Sequence, residues 1–412
     1  ASFIDSAIAQ SSTGRIFMVA DAQPAECGYL QCKTGTGYAQ INGKKHLLLT
    51  NGNHGDKLST FGYYVGDFDG DFAPVFSRAD SKATEYSVDR EFRLYKNGEA
   101  LYTEQKGSEG VKVKQNIFYS AAELRCYKTT YLWLRYSDDN GRTWSHPTIL
   151  SEQVKNEKES FLGVGPGRGV VINHNGKERI LFCVYDNNGL FKDPIFENAS
   201  AIYTDDNGAT WHRSNKIKIK AGLQKTSEAQ LVKIDSGDYK ALRMYARNLS
   251  NYIAYADSTD GGETWTAFCA DRALEGTKNC MVSLIDTTRK LNGKQMLLCS
   301  AGGNLKARAD GVLRAGVVEK NGEVNWISKY HLTQGFYGYS CLTELPDGNF
   351  AVFYEDEAAH LKYTVFSVAD DGTINEINGE NLDFKPDLSA KTKRSTSFKR
   401  FTAKIKFALG LM

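Results

Sequence analysis

Ser137-Asp138-Asp139-Asn140-Gly141-Arg142-Thr143-Trp144 returns twice along this chain, as Thr204-Asp205-Asp206-Asn207-Gly208-Ala209-Thr210-Trp211 and as Ser258-Thr259-Asp260-Gly261-Gly262-Glu263-Thr264-Trp265. The shared pattern is hydroxyl-x-Asp-x-Gly-x-Thr-Trp, at intervals of 67 and 54 residues. Recurrence of one short motif at such spacing is the mark of a repeat architecture. Within each copy, Asp and Ser/Thr side chains tie down their own backbone in a turn. Gly supplies a backbone angle that other residues resist, and Trp leaves the turn to pack into a core. Apolar strands precede all three copies: Tyr131-Leu132-Trp133-Leu134-Arg135, Ala199-Ser200-Ala201-Ile202-Tyr203 and Tyr252-Ile253-Ala254-Tyr255. The motif therefore predicts a hairpin turn inside a small antiparallel sheet. Small sheets repeated radially make a β-propeller, which the repeated turn favours over a long array of β-sandwiches.

Outward from the repeats the composition agrees. The chain has 412 residues, enough for one large core or several smaller ones, with 38 Gly, 7 Pro, 22 Tyr and 21 Phe. Many short strands joined by tight turns suit that mix, and no stretch sustains helical apolar spacing, so helix should be minor. Strand-like runs continue to the end, among them Arg15–Ala20, Gln295–Cys299, Asn349–Tyr354 and Tyr363–Phe366, punctuated by Asn292-Gly293, Asn321-Gly322, Asp347-Gly348 and Asp371-Gly372. A net charge of +2 says little about partners. Seven Lys/Arg and no acid lie between Lys391 and Lys406, read as a solvated basic tail (386–412) rather than a nucleic-acid arm. No run of apolar residues is long enough to span a membrane, and Ala1-Ser2-Phe3-Ile4-Asp5 does not read as a signal peptide. The eight Cys and seven His form no metal-ligand spacing, so no metal or cofactor is expected. Cys183 and Cys299 read as buried thiols, and Cys269 and Cys280 flank a loop and could pair.

Residues 27–126 break the rhythm. They lack the repeat and carry acidic-aromatic material such as Gly66-Asp67-Phe68-Asp69-Gly70-Asp71-Phe72, read as a small inserted β subdomain. The Asp67/Asp69/Asp71 alternation lacks the Glu of a calcium loop and reads as a polar loop.

Four further segments narrow the reading: Phe161-Leu162-Gly163-Val164-Gly165-Pro166-Gly167-Arg168-Gly169, Ser227-Glu228-Ala229-Gln230, Tyr245-Ala246-Arg247-Asn248-Leu249-Ser250 and Gly338-Tyr339-Ser340-Cys341-Leu342-Thr343-Glu344-Leu345. With the repeats, in this order, the chain resembles the secreted bacterial exo-α-sialidases that carry a β subdomain within the propeller. The resemblance implies an all-β, six-bladed β-propeller, with residues 1–26 and 127–385 as the catalytic propeller around the insertion. It implies retaining release of terminal sialic acid with a tyrosine nucleophile. A phenol suits this sugar, whose anomeric carbon bears a carboxylate that would repel an anionic Asp or Glu. By motif match Tyr339 is the nucleophile and Glu228 its base partner, 19 residues before Arg247. Arg247 and Arg308 are the second and third arginines that clamp the substrate carboxylate, with Arg314 the alternative to Arg308. Glu355 matches the acid that orients the first arginine. Asp5 matches a residue on the O4 side of the sugar, and Ile4 lies beside the N-acetyl pocket.

The family's Arg-Ile-Pro string is absent. The resemblance then implies that the first arginine, the general-acid Asp and one repeat lie upstream of Ala1, so that the first blade is incomplete. Implied partners are sialylated glycans, met by a monomer that is secreted or on a bacterial cell surface. Intramolecular transfer, giving anhydro or unsaturated sialic acid, is the alternative outcome. A non-catalytic sialic-acid-binding propeller is another; an intact Tyr339 and Glu228 argue against it, since a binding protein needs neither nucleophile nor base. Asn198-Ala199-Ser200 and Asn248-Leu249-Ser250 match the glycosylation pattern by chance.

Overall fold

Fully buried strands and alternating strands sit side by side in this chain. Gly311–Val318 is buried at every position, whereas burial alternates residue by residue along Val324–His331. A middle strand covered on both faces needs the first pattern, and a strand with one wet face needs the second. The computed structural model describes residues 1–29, 31–52, 57–105, 109–187, 197–275, 279–357 and 360–377, and shows an all-β, propeller-like fold. The basic segment 386–412 lies outside the described residues. Helix among the described residues is confined to Ser151–Val154 and a 3-10 turn at Leu58–Thr60.

Five blade-like sheets follow one another. The first runs Ser2–Gln10, Ile16–Gln23, Tyr131–Ser137, Thr148–Ile149, and Gly167–Arg168 pairs in parallel on its inner strand. The second is built from Leu162–Val164, Lys177–Asp186, Asn198–Thr204 and His212–Arg213, with Val170–His174 also on Lys177–Asp186. The third comprises Ala229–Asp235, Lys240–Ala246, Tyr252–Ser258 and Cys269–Glu275. Ser283–Leu291, Lys294–Gly302, Gly311–Val318 and Val324–His331 make the fourth. The fifth holds Ser340–Glu344, Phe350–Glu357, His360–Val368 and Ile374–Glu376. Six blades are expected from the resemblance, and five are present among the described residues. Between the second and third strands of the first sheet, strands from Tyr38–Ile41 to Arg125–Cys126 form a separate eight-stranded sheet.

Apolar clusters lie between successive blades. One joins the first and second sheets through Phe17, Leu132, Phe182 and Trp211, and the next joins the second and third through Leu181, Leu231 and Met244. Tyr245 and Leu297 belong to the third–fourth cluster, Leu313, Tyr337 and Phe350 to the fourth–fifth. None of the apolar clusters among the described residues joins the fifth sheet to the first. The eight-stranded sheet is attached to the first by the rings of Phe92 and Phe118 packed on Trp133, 5.6 and 5.2 Å between centroids.

Each repeat is the hairpin turn into the last strand of its sheet. In the first, Ser137 Oγ donates to Asp139 and accepts the Gly141 N–H at 2.8 Å, while Asp139 accepts the backbone and hydroxyl of Thr143 at 2.8 and 2.6 Å. The same bonds recur from Thr204 and Asp206, and from Ser258 and Asp260. All three tryptophans were expected to reach a core. Trp211 is buried, and Trp265, half-buried, packs against the cluster between the second and third sheets; Trp144 is half-buried and belongs to none of the apolar clusters among the described residues, while all three indole N–H groups turn back to the carbonyl of their own turn glycine at 3.1 Å.

Cys269 and Cys280, which the sequence allowed to pair, do not. Both thiols are free: Cys269 Sγ faces the Tyr255 carbonyl and Cys280 Sγ the Gly338 carbonyl, so they point to different neighbours. Asp67 is paired with Lys44 at 2.6 Å, and no group of three His/Cys/Asp/Glu fit for a metal occurs among the described residues. Asn198 and Asn248 are buried with their amides donating to backbone carbonyls, so neither is open to a glycan.

Candidate active site

The register of the blades gathers the chemistry. In the third sheet Ala229 pairs with Ala246, so Glu228 and Arg247 are the next pair outward, and Arg247 N–H donates to the Glu228 carbonyl at 2.9 Å. In the fifth, Ser340 pairs with Tyr354, and Tyr339 and Glu355 are the next pair, with Glu355 N–H on the Tyr339 carbonyl at 2.9 Å. Each pair thus joins the residue before a first strand to the residue after its partner position on the second.

Side chains close the gap between these sheets. Tyr339 donates its hydroxyl to Glu228 Oε1. Arg247 Nη1 donates to Glu228 Oε2 at 2.6 Å and to the Tyr339 hydroxyl at 3.3 Å. Glu228 is buried, and Ser227 Oγ lies 3.5 Å from its Oε2. Burial, followed by the charges of Glu228 and Asp5, pushes the Tyr339 phenol well above its ordinary value, while Arg247 pulls the other way. Burial works against the Arg247 cation, but the Glu228 carboxylate and Tyr339 outweigh it and hold the guanidinium charged. The resting state is therefore a neutral phenol whose proton already points at a carboxylate.

Arg308 comes from the loop between the second and third strands of the fourth sheet, and its guanidinium stands 5.6 Å from the centre of the Tyr339 ring. Arg314, the alternative, sits within Gly311–Val318 and donates to the Glu275 carbonyl away from this cluster. Glu355 Oε2 accepts the Tyr339 backbone N–H at 3.2 Å. It lies where a Cβ on Gly338 would be, so Gly338 admits the carboxylate. Ile4 and Asp5 sit at a bulge in Ser2–Gln10, and Asp5 takes a φ of +51°, the left-handed region that side-chain-bearing residues seldom adopt. With Glu228 and Arg247 they line a cavity of about 340 Å³. All seven expected site residues thus come together in one cluster.

Other residues in this cluster have no signal in the motifs. Asn279 accepts Arg247 Nε on its side chain at 2.9 Å and Arg308 Nη2 on its carbonyl at 3.4 Å, bridging two sheets at a φ of +45°. Gln23, Tyr29, Tyr185 and Glu197 line the cavity with Phe161. Burial, then Glu228 and Asp5, keep the Tyr185 phenol protonated. Tyr29 packs its ring 4.8 Å from Phe161 and hydrogen-bonds Glu197, which is itself paired with Lys225 at 2.7 Å. The arrangement can take a proton from a phenol, place two guanidinium groups on an anion beside it, and shelter both.

The BNR repeat-like domain family matches residues 113–352, which include all three turns. Anhydrosialidase of Macrobdella decora is 32% identical over 381 residues, covering 86% of this chain and 47% of the relative. Sialidase B of Streptococcus pneumoniae is 28% identical, over 86% of this chain and 50% of its own length. The chain thus spans about half the length of the curated relatives it matches. Among solved structures, the intramolecular trans-sialidase of Ruminococcus gnavus, bound to oseltamivir carboxylate, aligns with a TM-score of 0.76 at 31% identity, over 90% of this chain and 79% of that one.

Proposed function

This chain belongs to the sialidase family, and from that premise we propose that it removes terminal sialic acid from glycans by way of a tyrosyl intermediate. The hydrogen bond from Tyr339 to Glu228, with Arg247 on both, carries the reading. Glu228 takes the phenol proton as the Tyr339 oxygen bonds to the anomeric carbon and the bond to the aglycone oxygen breaks, that oxygen leaving as the anion and taking up a proton from water. Arg247 faces the oxygen on which charge grows, and with Arg308 it clamps the sugar's own carboxylate. Asp5 and Ile4 take the far side of the ring, and Glu355 positions the Tyr339 backbone. The substrates are sialylated glycoproteins, glycolipids or oligosaccharides, met outside or on a bacterial cell. The same reading takes the ring as six-bladed, with residues 27–126 an inserted β subdomain.

A specific observation favours a second reading for the next half-reaction. Two of the relatives at 31–32% identity are an anhydrosialidase and an intramolecular trans-sialidase. In that variant a hydroxyl of the bound sugar, rather than water, displaces Tyr339 and leaves an anhydro product.

The experiment is release of 4-methylumbelliferone from its α-sialoside by the full chain. This leaving group departs without a proton donor, so the assay reads Tyr339 and Glu228 directly. Tyr339→Phe is expected to lose at least about 10²-fold in kcat with binding retained. Equal turnover by Tyr339→Phe would reject the nucleophile, and binding without turnover in the parent chain would favour a binding propeller. Proton NMR of the released sugar separates free sialic acid from an anhydro product.

A further inference from the structure

The cavity wall at Gly28 and Tyr29 is bracketed by two thiols. Cys27 N–H bonds to the Pro24 carbonyl at 3.0 Å, and Gln31 and Cys32 N–H both bond to the Gly28 carbonyl, at 3.0 and 3.2 Å. This turn folds Cys32 back over Cys27, and their sulfurs stand 2.8 Å apart. Two unbonded thiols do not normally approach so closely, and a bond at about 2.05 Å needs only a small further side-chain movement. Both thiols are free and buried, 5% and 1% exposed. Thr129 links them to a cation: its carbonyl lies 3.9 Å from Cys27 Sγ, and its hydroxyl accepts the buried Lys155 ammonium. The Cys27 contact and burial push the Cys32 thiol up, and Lys155 opposes them. Lys155 acts in the direction that favours the thiolate needed for thiol–disulfide exchange, without outweighing the Cys27 contact and burial.

We propose that Cys27 and Cys32 form a reversible disulfide that locks the Tyr29 wall of the cavity. The co-reactant is a low-molecular-weight disulfide. The more open Cys27 attacks one of its sulfurs as the thiolate, releasing one thiol and leaving a mixed disulfide. Cys32 then attacks the Cys27 sulfur and releases the second thiol. Two protons and two electrons pass from the protein to the two released thiols. Bridging fixes both ends of the turn that sets Tyr29 against Phe161 and Glu197. The bridged form is then pre-organised for ligand, a consequence that rests on the function proposed above.

The test equilibrates the full chain with oxidised and reduced glutathione. It is run on the folded protein and again during refolding from denaturant, so burial does not limit access. Both cysteines fall in the tryptic peptide Ile16–Lys33, with no other cysteine. That peptide is expected to become lighter by two hydrogens and to resist alkylation, with dithiothreitol reversing both changes. Glutathione adducts on either residue, unchanged thiols after refolding, or a bridge from Cys27 to Cys126 would overturn the proposal. These mass readouts do not depend on activity, so they stand whatever the sialoside assay returns. For the wall, the oxidised chain is expected to show a KM about threefold below the reduced chain at similar kcat. Cys27→Ser and Cys32→Ser should abolish that redox difference. If the bridge forms and KM stays the same in both states, the locking role is wrong.

Discussion

At the scale of single residues, the site depends on groups that hold charge in place. Asn279 is one: it receives an N–H from each of two arginines drawn from different sheets. A hydrogen bond to a charged group contributes about 1.5–3 kcal/mol. Asn279→Ala leaves the Arg308 contact, made to backbone, and removes the Arg247 one. A rise of roughly tenfold or more in KM is expected, with kcat changed less and Asn279→Asp restoring part of the loss. An equal fall in kcat at constant KM would mean that Asn279 acts on the chemical step instead. Lys155 is a second case. Burial lowers its amine from an ordinary 10.5 to about 8, although it donates to Thr129, Thr130 and Ser160. Between those two values the unfolded chain binds the extra proton, so stability rises with pH. The cost of burying the cation is fully present below pH 8 and disappears above 10.5. Relative to Lys155→Met, the parent chain is expected to gain on the order of 2–3 kcal/mol from neutral to pH 10.5 in denaturant titrations. A flat difference would mean that the amine is already neutral, or still solvated, at pH 7.

At the scale of elements, the repeated turn is a self-contained hydrogen-bond unit. Asp260 accepts from the backbone of Glu263 and from the backbone and hydroxyl of Thr264, and takes the Ser258 hydroxyl as well. Removing those acceptors by Asp260→Ala should cost about 1–2 kcal/mol in urea unfolding, since the freed N–H groups at this half-exposed turn partly regain water. A value near zero would leave the turn to glycine alone. Thr143 and Ser137 likewise hold the Asp139 carboxyl at about 2. A depressed carboxyl contributes stability above its unfolded value of 3.8, and loses it as pH falls toward 2. These turns were legible because their bonds are local: residues one to four apart make them, so spacing alone reveals the unit. Tyr339, Glu228 and Arg247 were singled out by the strings around them, which also carry strand ends. Asn279, Tyr29 and Glu197 were not, because each matters through partners far along the chain. Trp144 was expected in a core and is only half-buried, whereas Trp265 packs half-buried against one. All three indoles bond back to their own turn, so that bond does not decide which of them reaches a core.

At the scale of the molecule, the site exists only when several sheets are assembled. Glu228 and Arg247 come from the third sheet, Arg308 from the fourth, Tyr339 and Glu355 from the fifth, and Ile4 and Asp5 from the first. The sheets themselves meet through apolar clusters that carry no chemistry. If Arg247 and Arg308 clamp a ligand as proposed, that ligand acts as a strut between the third and fourth sheets, stabilising their assembly rather than one element. Unsaturated sialic acid is a suitable probe, because it keeps the carboxylate and cannot be cleaved. At a hundredfold excess over its Kd it should raise the unfolding free energy by about 2.7 kcal/mol. Hydrogen exchange should slow at Arg247, Arg308 and Tyr339 together. Arg247→Ala and Arg308→Ala should each weaken the effect severalfold while leaving the unliganded transition cooperative. Protection confined to the third sheet would show the arginines acting separately, and would reduce the clamp to a single-blade contact.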